Sequence, residues 1–202
     1  AGTAIASFDD PEAEGTLRSA ALLAPDLPAV RWRYGAWLTR EGFLEDGIRE
    51  LQAALELDDE DPVIRYELGV GYALNNDLDR AVDHFAKGIE LNPDDAWGQA
   101  MLGLALIAGD RLEESVVELD RAAEGLEDAR THLLAALAFA AFEDEGAAWV
   151  HLERARQLAE GTEELVVDEV EERLDGGPEA TRSLLVRNLA PTTFRERLQA
   201  RP

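Results

Sequence analysis

The sequence predicts an all-α fold, an α-solenoid of stacked antiparallel helix pairs, and four recurring registers predict it. Small residues Gly35, Gly69, Gly103 and Ala136 stand 34, 34 and 33 residues apart. Two further small registers keep the same beat: Gly47, Ala81, Ser115 and Ala148, then Ala54, Gly88, Ala122 and Ala155. Leu51, Phe85, Leu119 and Leu152 fill a large apolar register between them. A unit of about 34 residues cannot bury its own apolar face and must stack on its neighbours.

Each element follows from local chemistry. Residues 1–10 form an N-terminal segment. Residues 11–27 read as half a repeat, with Asp10-Pro11 to start a helix over 11–24 and Ala13, Leu17 and Ala20 at its small, large and small positions. The missing first helix of that unit is either absent or contained in residues 1–8. Four full units follow over 28–161, namely 28–61, 62–95, 96–128 and 129–161. In each, a small residue follows a large apolar one, as in Tyr34-Gly35, Leu68-Gly69 and Leu102-Gly103. Twelve residues later a second small residue opens the next apolar run. Two antiparallel helices approach closely only where one of them presents almost no side chain. Polar breaks at Glu41-Gly42, Asn75-Asn76-Asp77, Ala108-Gly109-Asp110 and residues 143–146 supply the turns. Asp61-Pro62 and Asn92-Pro93-Asp94 suit helix starts between units. Residues 162–202 read as a degenerate fifth pair, 163–174 and 179–189, broken by Asp175-Gly176-Gly177-Pro178. A short last helix over 194–200 follows Pro191-Thr192-Thr193. The expected role of this region is a C-terminal cap.

These units resemble tetratricopeptide repeats. The fit is clearest in residues 62–95, where Leu68-Gly69, Tyr72, Ala81, Phe85 and Pro93 match the family's signature positions. Residues 28–61 match with Tyr34-Gly35, Leu38, Gly47, Leu51 and Ala54, although Asp59 stands at the usual proline. Residues 96–128 match with Trp97, Leu102-Gly103, Leu106, Ser115 and Ala122, and 129–161 lack the Leu-Gly pair. The resemblance implies a right-handed superhelix whose first helices line a concave groove for a peptide or partner helix.

Composition narrows the function. The chain has 202 residues, 19 Lys and Arg against 43 Asp and Glu, and a formal net charge of −24. Such an acidic surface argues against nucleic acid, which needs a basic footprint, and against anionic membrane surfaces. Lys87 is the single lysine. An arginine-dominated, acidic composition fits a GC-rich genome or a salt-adapted proteome, while an electrostatic search for a basic partner is the competing account. No apolar run reaches ~20 residues, so no membrane-spanning helix is expected. Cysteine is absent, which excludes disulfides and thiolate chemistry and fits either side of a bacterial inner membrane. The cytoplasm is slightly favoured over a periplasmic or anchored location.

No catalytic or metal constellation is expected, and no cofactor. Asp58-Asp59-Glu60-Asp61 lacks the pattern of a calcium loop, and the other acidic pairs stand at helix starts, where they cap. His84, His132 and His151 show no ligand spacing, and no nucleophile elbow or phosphate loop occurs. A binding protein is therefore expected, not an enzyme.

The resemblance assigns the inward positions. They are Trp32, Arg33, Ala36 and Arg40 in the first full unit, with Tyr66, Val70 and Leu74 in the second. Trp97, Met101, Leu104 and Ile107 follow in the third, with Arg130, Leu133 and Leu137 in the fourth. This stripe is apolar, the character of an interface. Family members that clamp a C-terminal carboxylate use Lys and Asn on these helices. Trp32, Ala36, Glu67, Trp97 and Met101 stand there instead, so that clamp cannot form. The expected ligand is an apolar peptide or amphipathic helix, with Arg33, Arg40 and Arg130 reading acidic residues at its edges. Tyr66 and Trp97 are the expected anchors. Occupation of the groove by the chain's own C-terminal segment, and self-association into a homo-oligomer, are the alternatives.

Overall fold

The computed structural model describes residues 13–199, which form twelve α-helices and one π-helical turn with no strand among them. The helices fall into two compact units, residues 1–91 and 92–202. The expected start at Asp10-Pro11 and any helix in 1–8 lie outside the described residues.

The first unit contains α1 (Ala13–Leu23), α2 (Pro28–Arg40), α3 (Leu44–Leu57), α4 (Pro62–Leu74) and α5 (Leu78–Leu91). Helices α2 and α3 pair, as do α4 and α5, and α3 packs on α4. Helix α1 packs on α2, where Leu17 and Tyr34 cover the buried Trp37 and Leu38. The recurring small residues mark the crossings. A Cβ on Gly35 would stand 2.8 Å from Leu51 Cγ and 2.9 Å from the Gly47 carbonyl. On Gly69 it would stand 2.6 Å from the Phe85 ring. The third small register does comparable work, because Gly88 leaves room for the Tyr66 ring.

The second unit continues the pattern with α6 (Ala96–Ala108) against α7 (Leu112–Gly125) and α8 (Ala129–Ala141) against α9 (Glu145–Leu158). Asp61, Asp95, Asp128 and Asp144 cap α4, α6, α8 and α9, each accepting a backbone N–H at 2.8–3.1 Å. The turn inside each pair also repeats. Gly42, Asn76, Asp110 and Glu143 adopt left-handed backbone with φ of 87°, 59°, 58° and 63°. The following residue donates its N–H to a carbonyl five residues back, as Phe43 does to Leu38 and Asp144 to Phe139. This closure satisfies carbonyls that the helix end leaves open.

Beyond the pairs, α10 (Thr162–Asp175) packs on α8 and α9. The chain then turns back at Gly176-Gly177, and α11 (Pro178–Leu184) lies against α8 while α12 (Ala190–Gln199) lies against α6. The expected break at residues 191–193 is absent. The backbone stays helical from Pro178 to Gln199 through a π turn at Leu185–Leu189, where Ala190 donates its N–H to the Leu185 carbonyl. Pro191 falls in the first turn of α12, a position where proline's missing N–H is tolerated.

Candidate binding face

In the first unit, the expected inward residues divide into three groups. Ala36, Tyr66 and Val70 are wholly buried, Trp32, Arg40 and Leu74 are half-buried, and Arg33 is exposed. Tyr66 is thus corrected from ligand anchor to core residue, since its ring fills the space above Gly88. The Arg40 guanidinium is committed within the chain. It donates to both Glu67 carboxylate oxygens, at 3.2 and 3.1 Å, and to the Ala36 carbonyl at 3.3 Å. Helix α2 carries Arg40 and α4 carries Glu67, so this ion pair ties the first helices of adjacent pairs together. Arg33 lies over the Trp32 ring at 5.3 Å.

In the second unit the inward stripe is closed, which corrects the expectation of a surface open to water. Met101, Leu104, Ile107, Leu133 and Leu137 are all buried, and Trp97 is half-buried. Residues 178–199 run backward over α6 and α8, and Leu133 shares a pocket wall with Leu184 and Leu189 of that segment. That segment buries Thr181, Leu184, Leu185, Ala190, Thr193, Phe194 and Leu198. Arg197 of α12 donates to Asp128 Oδ1 and Oδ2 at 3.2 and 3.1 Å and to Thr131 Oγ1 at 2.5 Å. Arg130 pairs with Glu163 of α10 at 3.7 Å and also with Glu196 of α12. Arg130 is thus engaged by acidic residues of the chain's own α10 and α12.

Structural comparison identifies the architecture. A crystal structure of MamA superposes with a TM-score of 0.65 at 18% identity, covering 82% of this chain and 91% of that one. YrrB, described as a TPR protein with an unusual peptide-binding site, gives 0.64 at 17% identity over 80% of this chain and 82% of its own. The chain has a tetratricopeptide-repeat fold. A chain of the APC/C hetero-tetramer Cut9-Hcn1, of the same repeat type, gives 0.64 at 22% identity over 79% of this chain and 32% of that one. No protein-family model and no curated protein matches the sequence.

Within this tetratricopeptide-repeat fold, one polar cluster escaped the sequence reading. His132 and His151 meet at Nδ1–Nδ1 3.1 Å, and His151 Nε2 lies 3.0 Å from Asp120 Oδ1. With both rings neutral and Asp120 ionised, His151 donates from Nε2 to the carboxylate and accepts at Nδ1 from His132. Burial lowers the His132 pKa, and the charges of His151 and Arg154 add to the shift. Two imidazoles do not complete a metal site, and no group of three or more ligating side chains occurs among the described residues. The three residues lie on α7, α8 and α9, each 12 or more positions from the next, so no local spacing announced them. No helix among the described residues is long and apolar enough to cross a membrane.

Proposed function

We propose that this chain is a protein-interaction scaffold, not an enzyme, and that it holds a peptide or amphipathic helix of another protein on the first-helix faces of its repeats. One observation carries the reading. The face of α8 that bears Arg130 and Leu133 already receives helical segments of this chain, through burial of apolar side chains and charge-assisted hydrogen bonds. A face that accepts one amphipathic helix has the shape and chemistry to accept another. The fold supports the class of function, since YrrB, a neighbour at TM-score 0.64, is described as having a peptide-binding site. In the first unit, Trp32, Arg33 and Leu74 supply the accessible part of the corresponding face. Trp32 and Arg33 together make an aromatic–cation platform of the kind enriched in binding hot spots.

Selection of 20-residue peptides displayed on phage tests this reading. A selected peptide should slow amide exchange in first helices α2, α4, α6 or α8. Trp32→Ala or Leu74→Ala should weaken a ligand of the first unit about 10-fold or more. Protection confined to second helices, or selection of no binder, contradicts the reading.

A competing account treats residues 178–199 as a permanent cap, and the burial of Leu185 and Phe194 favours it. The two accounts differ in whether the segment leaves.

A further inference from the structure

The charge of the C-terminal segment is opposite to that of the helices before it in the same unit. Residues 178–202 hold five of the 19 basic residues and two of the 43 acidic ones, a net +3, whereas residues 92–177 hold six basic and 22 acidic residues, a net −16. A basic helix on an acidic surface gains from long-range attraction as well as from contact.

Its seat has an incomplete apolar floor and three polar ties, Arg197 to Asp128, Arg130 to Glu196 and Arg182 to Asp110. Asp128, the cap of α8, accepts from the Thr131 N–H and hydroxyl and from Arg197, so a single carboxylate joins helix start and segment. Beside it, a cavity of about 160 Å³ separates Arg130 and Leu133 of α8 from Leu184, Leu189 and Thr193. The Thr193 hydroxyl on its wall is buried and has no hydrogen-bond partner. Protein interiors seldom leave such a group unpaired. The segment is joined to α10 by Gly176-Gly177. Gly177 has φ +85°, and no atom lies where its side chain would stand. A short tether of this kind holds a weak ligand in place by effective concentration alone.

We infer that residues 178–199 are a resident, displaceable occupant of the α6 and α8 faces, and that they yield to a basic amphipathic helix of a partner. The partner helix carries the polar and apolar keys of α12: an aromatic residue, an arginine three positions on and a leucine at the fourth, as in Phe194, Arg197 and Leu198. This inference rests on the interaction reading above and adds the chemistry of the partner and the regulation of the face.

The test uses the full chain and a labelled peptide of residues 178–202 as the probe helix. Wild type should bind it weakly, because the tethered copy competes. Arg197→Ala should bind it at least 10-fold more tightly, and adding Asp128→Asn should remove that gain. Amide exchange on unmodified wild type checks the segment without any substitution. Residues 178–199 should open while α6 and α8 stay protected. Joint opening of the segment with α8 overturns the inference, as does peptide binding indifferent to Arg197 and Asp128. If the probe fails while phage-selected peptides still protect α2 or α4, this inference falls and the scaffold reading survives. If neither class of peptide binds, both fall.

Discussion

Individual residues carry strain and charge that can be read out one at a time. Glu143 occupies the left-handed turn position that Gly42, Asn76 and Asp110 fill in the other pairs. Glycine, asparagine and aspartate tolerate that backbone; glutamate has no short polar group to offset it. Glu143→Gly should therefore raise stability by up to about 1 kcal/mol, seen as a higher thermal midpoint. An unchanged or lower midpoint would show that the turn is not strained. His84 offers a pH test. Its ring stacks on Tyr72 at 5.3 Å, and its buried Nδ1 has no hydrogen-bond partner. Burial, with Arg65 adding to it, lowers its pKa from 6.5 to about 4. In that window the unfolded chain binds the proton and the folded chain does not, so stability falls as pH drops from about 6.5 to about 4. A His84→Phe variant should lose that part of the slope in urea midpoints measured across the same range. Parallel curves for the two proteins would contradict the assignment.

At the scale of elements, much was legible because the determinants are local or periodic. Asp61-Pro62 announces α4 within two residues, and the Gly35, Gly69 and Gly103 register places the crossings of three pairs by counting. Gly69→Leu should destabilise the chain by about 2 kcal/mol or more through overpacking against Phe85, measured as a lower urea midpoint. A neutral result would remove Gly69 from the crossing. What the sequence hid is what depends on distant partners. Arg197 meets Asp128 across 69 positions, and Arg40 meets Glu67 across 27. Nothing in either neighbourhood fixes those pairings. Tyr66 was misplaced for a related reason. The signature positions define a helix and its pairing face, yet the depth at Tyr66 depends on Gly88 of the partner helix. The helical run through Pro191 was hidden because a proline in a first turn and a proline in a loop read alike.

For the whole molecule, the sign of the charge changes between residues 1–177 and residues 178–202. With a formal net charge of −24, self-repulsion opposes compaction, and added salt should raise the thermal midpoint as it screens that repulsion. The same salt should weaken the hold of the basic residues 178–199 and speed their amide exchange. Opposite responses in one titration would separate the two effects; a uniform response would mean that the segment behaves as part of the array. The function proposed here depends on the first-helix faces being the ones that receive a ligand. Photo-crosslinking tests this most directly. A photoreactive residue at Leu74 on α4, and the same residue at Gln52 on α3, would each be irradiated with a phage-selected peptide. The account predicts crosslinking from position 74 and none from position 52. Capture from position 52 alone would contradict it.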